Sequence, residues 1–268
     1  MTIHMSDHHR HDFVNDVVIY PKFPNSMMVS WKVRNPALNS EYFFYVWLAA
    51  HPEHEFKKVN EIPIVNKSFY EFEKPLTYKT EYLYAKVECV VDGHSYMSEA
   101  NGMFYNLQKP QYLIARDIMR RKDLVRRKKK PIIIFVLKRR VFGAKCTECT
   151  EVGTGASTNS RCMPCYGTGI VGGYYEPIKT ACAFEEAGGR ATLPSTIGNI
   201  DQRGAVLKFT FPIVEKDDII IEEYRNRRWA VEYVDLQMLS TYPVDQVVKV
   251  NQISTKDIQY QIDITGEN

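Results

Sequence analysis

The sequence predicts a mainly β chain: two strand-rich units separated by one long helix and a four-cysteine insertion. Three observations carry that prediction. Alternating apolar runs of strand length fill residues 12–107 and again 178–264, punctuated by Pro, Asn and Asp-Gly turn signals. Between 109 and 129 the apolar spacing changes to a helical period. Two CxxC pairs then follow, Cys146-Thr-Glu-Cys149 and Cys162-Met-Pro-Cys165, with twelve residues between them. At 268 residues and 44% hydrophobic content the chain can bury more than one core, and its length favours two domains. The expected division is a disordered, His-rich terminus over 1–11 (His4, His8, His9, His11), a β-sandwich over 12–107 and a basic helix over 108–130. A strand plus the four-cysteine ribbon follow over 131–177, and a small β-barrel over 178–268.

In the first unit the strand candidates are Met27–Val33, Tyr42–Ala49, Phe69–Phe72 and Tyr82–Val91, with turns at Pro36, Asn39, Pro52, Pro75 and Asp92-Gly93. This spacing suits a sandwich. Val29-Ser30-Trp31 and the run Leu76 to Val87 resemble the second strand, corner and sixth strand of fibronectin type III domains, with Tyr82 in the tyrosine-corner place. Tyr78-Lys79 departs from the Pro-Gly common there. The resemblance implies fold alone.

Pro110 can open the helix and Pro131 stops it. Leu113, Ile114, Ile118, Leu124 and Val125 form its apolar stripe, and Asp117 with Arg121 and Asp123 with Arg127 are favourable i,i+4 pairs. The chain's net charge of +3 says little, but eight cations fall within residues 120–130: Arg120, Arg121, Lys122, Arg126, Arg127, Lys128, Lys129 and Lys130. Such a cluster can contact DNA without sequence preference, dock on an acidic protein surface, or serve only as a solvated face. It lacks the interleaved aromatics that stack bases.

Ile132–Leu137 is a β-branched strand leading into the cysteines. Thiolates two residues apart can share one turn and meet a second such turn around a tetrahedral ion, so Cys146, Cys149, Cys162 and Cys165 are the expected ligands of structural zinc. Disulfides and a redox dithiol are the competing readings. The opening MTIHMSDHHRHDF lacks an export h-region and no run reaches about 18 apolar residues, so reduced thiols and no membrane are expected. A redox CxxC normally stands alone at a helix start. A closed four-thiolate shell leaves no position for substrate. Gly143, Gly167 and Gly169 suit the knuckle turns, and Thr154–Ser160 reads as an exposed tip. Cys89 and Cys182 sit in apolar runs as buried hydrophobes.

The second β unit is expected to use strands at Ala205–Phe211, Asp218–Glu222, Arg228–Val234, Gln246–Ile253 and Ile258–Ile264, with a hairpin across Arg225-Asn226 and Trp229 in the core. GxSxG, HExxH, P-loop and βαβ GxGxxG patterns are all missing, and Glu185-Glu186 and Glu222-Glu223 read as surface charge, so no enzyme is expected.

The order of parts is similar to virion proteins of the neck region of tailed bacteriophages. The helix with its strand (112–140), the CTEC and CMPCYGTG knuckles with GGYYEP, and the DDIIIEEYRNRRWAVEYV hairpin carry the resemblance. It implies a structural head-to-tail connector component located in the virion and assembled in the host cytoplasm. Its partners would be its own copies in a cyclic ring, portal or adaptor and tail-terminator proteins, and packaged DNA contacted non-specifically. A tail or baseplate protein and a zinc-ribbon nucleic-acid-binding protein are the alternatives. Cys162 to Gly169 also resembles the CxxCxGxG repeat of J-domain co-chaperones, but Thr150-Glu151-Val152-Gly153 after the first knuckle departs from it, and no J domain accompanies it.

Overall fold

A computed structural model of the chain describes residues 13–22, 26–34, 36–37, 39–73, 83–102, 109–129, 131–149, 159–195 and 198–264. The His-rich terminus, the Leu76–Tyr82 corner, Lys130 and residues 154–158 of the ribbon tip lie outside these. Two compact units emerge, one of residues 1–112 and 141–145, the other of 113–140 and 146–268.

Among the described residues the first unit holds nine strands: β1 (Val14–Lys22), β2 (Ser26–Val33), β3 (Phe43–Ala49), β4 (Lys57–Lys58), β5 (Ile64–Val65), β6 (Phe69–Glu73), β7 (Tyr84–Val91), β8 (His94–Met97) and β9 (Asn101–Gly102). They form a three-stranded sheet, β1-β2-β6, and a six-stranded one, β4-β3-β7-β8 with β5 on β3 and β9 on β7. Period-2 alternation dictates the core, because successive side chains leave opposite faces of a strand. β7 alternates half-buried and buried from Tyr84 to Val91 without a break. Trp31 and Phe44, one from each sheet, meet at 5.1 Å between ring centroids and are both buried. Asp92-Gly93 supplies the β7–β8 turn, both residues at positive φ, as such a tight turn demands.

Residues 141–145 pack with this unit. Phe142 is fully buried, its ring 5.2 Å from Tyr42 and 5.8 Å from Phe44. Asn39, in the left-handed region at φ 72, donates its amide to the Gly143 carbonyl and accepts from the Lys145 amide through Oδ1.

The second unit carries most of α1 (Lys109–Lys128), which spans the boundary between the units, and a closed barrel. Its strands are β10 (Ile132–Leu137), β11 (Ile178–Ser195), β12 (Gly198–Phe209), β13 (Ile219–Glu222), β14 (Arg228–Leu239) and β15 (Tyr242–Gln252), hydrogen-bonded in the order β10-β11-β12-β15-β14-β13. Closure removes edges where β13 returns to β10, Phe135 opposite Ile221. Ile134, Val136, Leu207, Phe209, Ile220, Trp229, Val248 and Val250 fill the interior.

Three sequence expectations change here. The expected strand Ile258–Ile264 is instead a 3₁₀ turn over Ile258–Gln261. Its isoleucines alternate, but Ile258 and Ile262 are the buried ones, four apart, as on a helical turn. The buried Arg228 guanidinium donates to the carbonyls of Gln259 and Ile262 and so holds that turn. Glu222, expected at the surface, is 4% exposed and paired with Arg227 at 2.8 Å. The helix stripe is reversed: Leu113, Ile114, Leu124 and Val125 are 40–53% exposed, while Tyr112, Ala115 and Met119 are buried. The inward face is apolar but shorter, Tyr112, Ala115 and Met119, and Lys122 and Arg126 continue it as ion pairs to Asp245, while Ile118 of the expected stripe is half-buried.

Candidate metal centre

The four cysteines converge. Cys146, Cys149, Cys162 and Cys165 are at most 4% exposed, and their sulfurs all lie within 4.8 Å of one another. The Cys146–Cys162 and Cys149–Cys165 sulfur pairs are 3.5 and 3.3 Å apart, far beyond the ~2.05 Å of a disulfide, and all six cysteines of the chain are free thiols. A tetrahedral ion with metal–sulfur bonds of ~2.3 Å needs sulfur–sulfur edges of about 3.8 Å. The donor set fits such an ion.

The turns explain why the sulfurs meet. Cys165 receives the backbone amides of Gly167 and Gly169, and Cys162 that of Cys165, the second-shell donation that stabilises thiolate ligands. The Thr168 amide donates to the Cys165 carbonyl, and the Cys146 amide to the Gly169 carbonyl at 2.9 Å, which ties the first knuckle to the second. Two glycines are obligatory by space as well as by φ. A Cβ on Gly167 would stand 2.6 Å from the Ser160 carbonyl oxygen, and one on Gly173 2.6 Å from that of Cys165.

Electrostatics point the same way. Burial pushes the Cys162 and Cys165 thiols up; neighbouring thiols add to this at Cys162 and act in both directions at Cys165, and backbone amides offset part of it. A dication bound by deprotonated sulfur would supply the missing compensation, and its uptake would release protons. All four candidate ligands are buried and supplied by the chain, the donor set of a four-thiolate site. By contrast, Cys89 and Cys182 are isolated, their thiols pushed up to about 12 by burial.

The basic cluster is only partly available. Arg121 pairs with Asp117 at 2.9 Å and Arg127 with Asp123 at 2.7 Å, the two i,i+4 pairs the sequence predicts. Lys122 and Arg126 converge on Asp245, at 2.9 and 2.6 Å, with Gln237 and Thr210 completing their hydrogen bonds. Arg120, Lys128 and Lys129 lie on exposed positions. Asp245 is 5% exposed; burial opposes its charge, but the hydrogen bonds of Arg126 and Lys122 prevail and hold its carboxyl below the ordinary range. Asp218, bonded to Lys138 and to the Glu215 and Arg139 amides, is raised because burial wins there. These anchors escaped sequence reading. The one signal for the Asp245 anchor is an acid inside an otherwise largely apolar strand, Tyr242-Pro-Val-Asp245-Gln-Val-Val.

Fold and site define a mainly β protein with a barrel and a buried four-thiol knuckle able to hold a metal ion. No family model matches the chain, and comparison with curated proteins likewise finds no match. Among the described residues no helix is long and apolar enough to cross a membrane.

Proposed function

We propose that this chain is a structural virion protein of a tailed bacteriophage, forming a ring in the neck that joins head or portal to tail around the DNA channel. Zinc held by Cys146, Cys149, Cys162 and Cys165 stiffens a loop, and no reaction is catalysed. The observation that carries the reading is the union of a closed barrel with a buried four-thiol knuckle, in the order of parts that resembles neck proteins. Ion pairing of Arg121, Lys122, Arg126 and Arg127 with carboxylates of the same chain speaks against a dedicated nucleic-acid binder, whose cations would be free to replace counterions. A tail or baseplate layer is the alternative within the same class.

Proteomics and cryo-electron microscopy of purified particles test the reading: the chain is expected at ring stoichiometry between portal and tail. Its absence from the particle, or a recombinant monomer that binds DNA tightly at low salt and releases it steeply as salt rises, overturns it.

A further inference from the structure

The outer face of β10 and β13 is covered by two short segments. β13 is buried along its whole length, although strand alternation sends Ile220 into the barrel and Ile219 and Ile221 out of it. Outside, Leu137, Ile219 and Ile221 form one apolar cluster with Ile253 and Ile262 from the segment after β15 and with Tyr174 from the knuckle loop. Tyr166 and Tyr260 pack against that cluster.

Neither cover is ordered by its own secondary structure. The segment after β15 has a single 3₁₀ turn, Ile258–Gln261, too short to persist alone. Arg228 holds it from one side: its guanidinium donates to the Gln259 and Ile262 carbonyls, and its backbone amide donates to the Tyr260 hydroxyl at 3.3 Å. On the other side the segment shares its cluster with the knuckle tyrosines, whose positions depend on the cysteine turns. Tyr166 follows Cys165 directly and stands at φ 50, a left-handed conformation that a bulky residue rarely takes. Its ring lies against Gly173, where a Cβ would come within 3.1 Å of Tyr166 Cδ2. Tyr174 follows the turn in which the Gly172 amide donates to the Pro164 carbonyl at 2.8 Å, inside the second knuckle. A metal bound by Cys162 and Cys165 would fix both tyrosines at once.

We infer that occupancy of the four-cysteine site governs the seating of residues 258–264, which form a metal-dependent strap over the outer face of β10 and β13. With metal, Tyr166 and Tyr174 complete the apolar cluster that seats Ile262. Without it the strap retains only its Arg228 side and opens, baring Ile219 and Ile221. The strap rests on the metal reading of the cysteines and is independent of any place in a virion.

The test is amide exchange, read by mass spectrometry on the full-length chain, zinc-loaded and chelated. The Tyr260 and Ile262 amides donate to the Asp257 and Gln259 carbonyls. They are expected to exchange about tenfold faster or more without zinc, while β15 keeps its protection. Tyr166→Ala retains all four ligands and should accelerate the same amides with zinc still bound one to one, whereas Tyr166→Phe should leave them slow. Linkage requires the reverse effect: Ile262→Ala should weaken zinc retention against a competing chelator by up to the same factor. Zinc loss that leaves the strap amides protected, or that accelerates β15 equally, overturns the strap while the zinc brace stands. So does a zinc-bound Tyr166→Ala chain with a slow strap, or zinc retention that Ile262→Ala leaves unchanged. Should the Tyr166→Ala chain not fold, the wild-type chain with and without zinc decides. A chain that takes up no zinc overturns brace and strap together, and virion membership is judged separately by presence in the particle.

Discussion

The two units bury different chemistry. Among the described residues, the first buries only neutral polar side chains, Asn60 and Ser98, in a core of aliphatic and aromatic groups. Both are satisfied: Asn60 bonds the Val46 amide and the Phe44 carbonyl, and Ser98 the Val87 amide. The second buries Asp218, Glu222, Arg228 and Asp245 with five thiols, four of them in the knuckle, yet leaves apolar residues of α1 and β14 in water. A core of the first kind derives its stability from area and fit and buries no carboxylate whose protonation acid would force. A core of the second kind holds because each charge has its partner, so it fails sharply when one is removed. The second unit therefore reads as the part built for a defined geometry, and the first as an independent apolar module.

Metal removal should break this comparison most widely. Structural zinc contributes on the order of 10 kcal/mol in isolated zinc domains. Cys165→Ser, or a strong chelator, is expected to abolish a one-to-one zinc content measured by elemental analysis. Amide exchange across residues 159–175 should then accelerate with no change in β2, β3 or β7. Equal protection with and without metal would show that the knuckle turns hold by themselves.

Next in size is the first unit's response to Phe142→Ala. A fully buried phenylalanine removed from between Tyr42 and Phe44 costs about 3–5 kcal/mol. Calorimetry is expected to show the lower stability at every pH, since no charge is involved. A change below about 1 kcal/mol would mean that residues 141–145 merely lie on the sandwich.

Asp245→Asn leaves Arg126, whose side chain is 10% exposed, without its carboxylate, a loss of about 3–5 kcal/mol for a broken buried pair. The pH sign follows from the depressed folded-state pKa of Asp245. Its stabilisation is fully present above the unfolded value near ~3.9 and fades as pH falls through the folded value. Asp218 is raised, so its contribution runs the other way, fading as pH rises through the carboxylate range. Acid titration of the second unit's unfolding should thus lose its Asp245 component in the variant, while the first unit's stays level. An unaltered acid profile would remove Asp245 from its anchoring role.

These same residues mark what the sequence made legible. Strand positions from Met27 to Val91, the helix, β10, the β13–β14 hairpin and the knuckle ligands all follow from periodicity or spacing, which are local. The Asp245 anchor joins residues 119 and 123 positions apart, and no local pattern encodes such a pairing. The helix orientation differs from the expected one for that reason: the buried side joins Ala115 and Met119 with Lys122 and Arg126, and the Asp245 partner of those cations is remote in sequence. Phe142 was unreadable because its place in the sandwich depends on Tyr42 and Phe44, about a hundred residues earlier.

The smallest expected effect sharpens the comparison from within α1. Arg121 and Asp117 form an ion pair as short as many buried ones, at 2.9 Å, but their side chains are 78% and 49% exposed. Water screens that attraction, and the cost of ordering two long side chains consumes most of what remains. Asp117→Asn should therefore cost only about 0.3–0.5 kcal/mol and respond to added salt, measured by denaturant unfolding. Lys122 and Arg126 stand one turn further along the same helix, at similar distances from Asp245, yet should cost several-fold more to disrupt. A surface pair as costly as the Asp245 pair would mean that burial does not separate the two kinds of charge, and the distinction between the units would lose its physical basis.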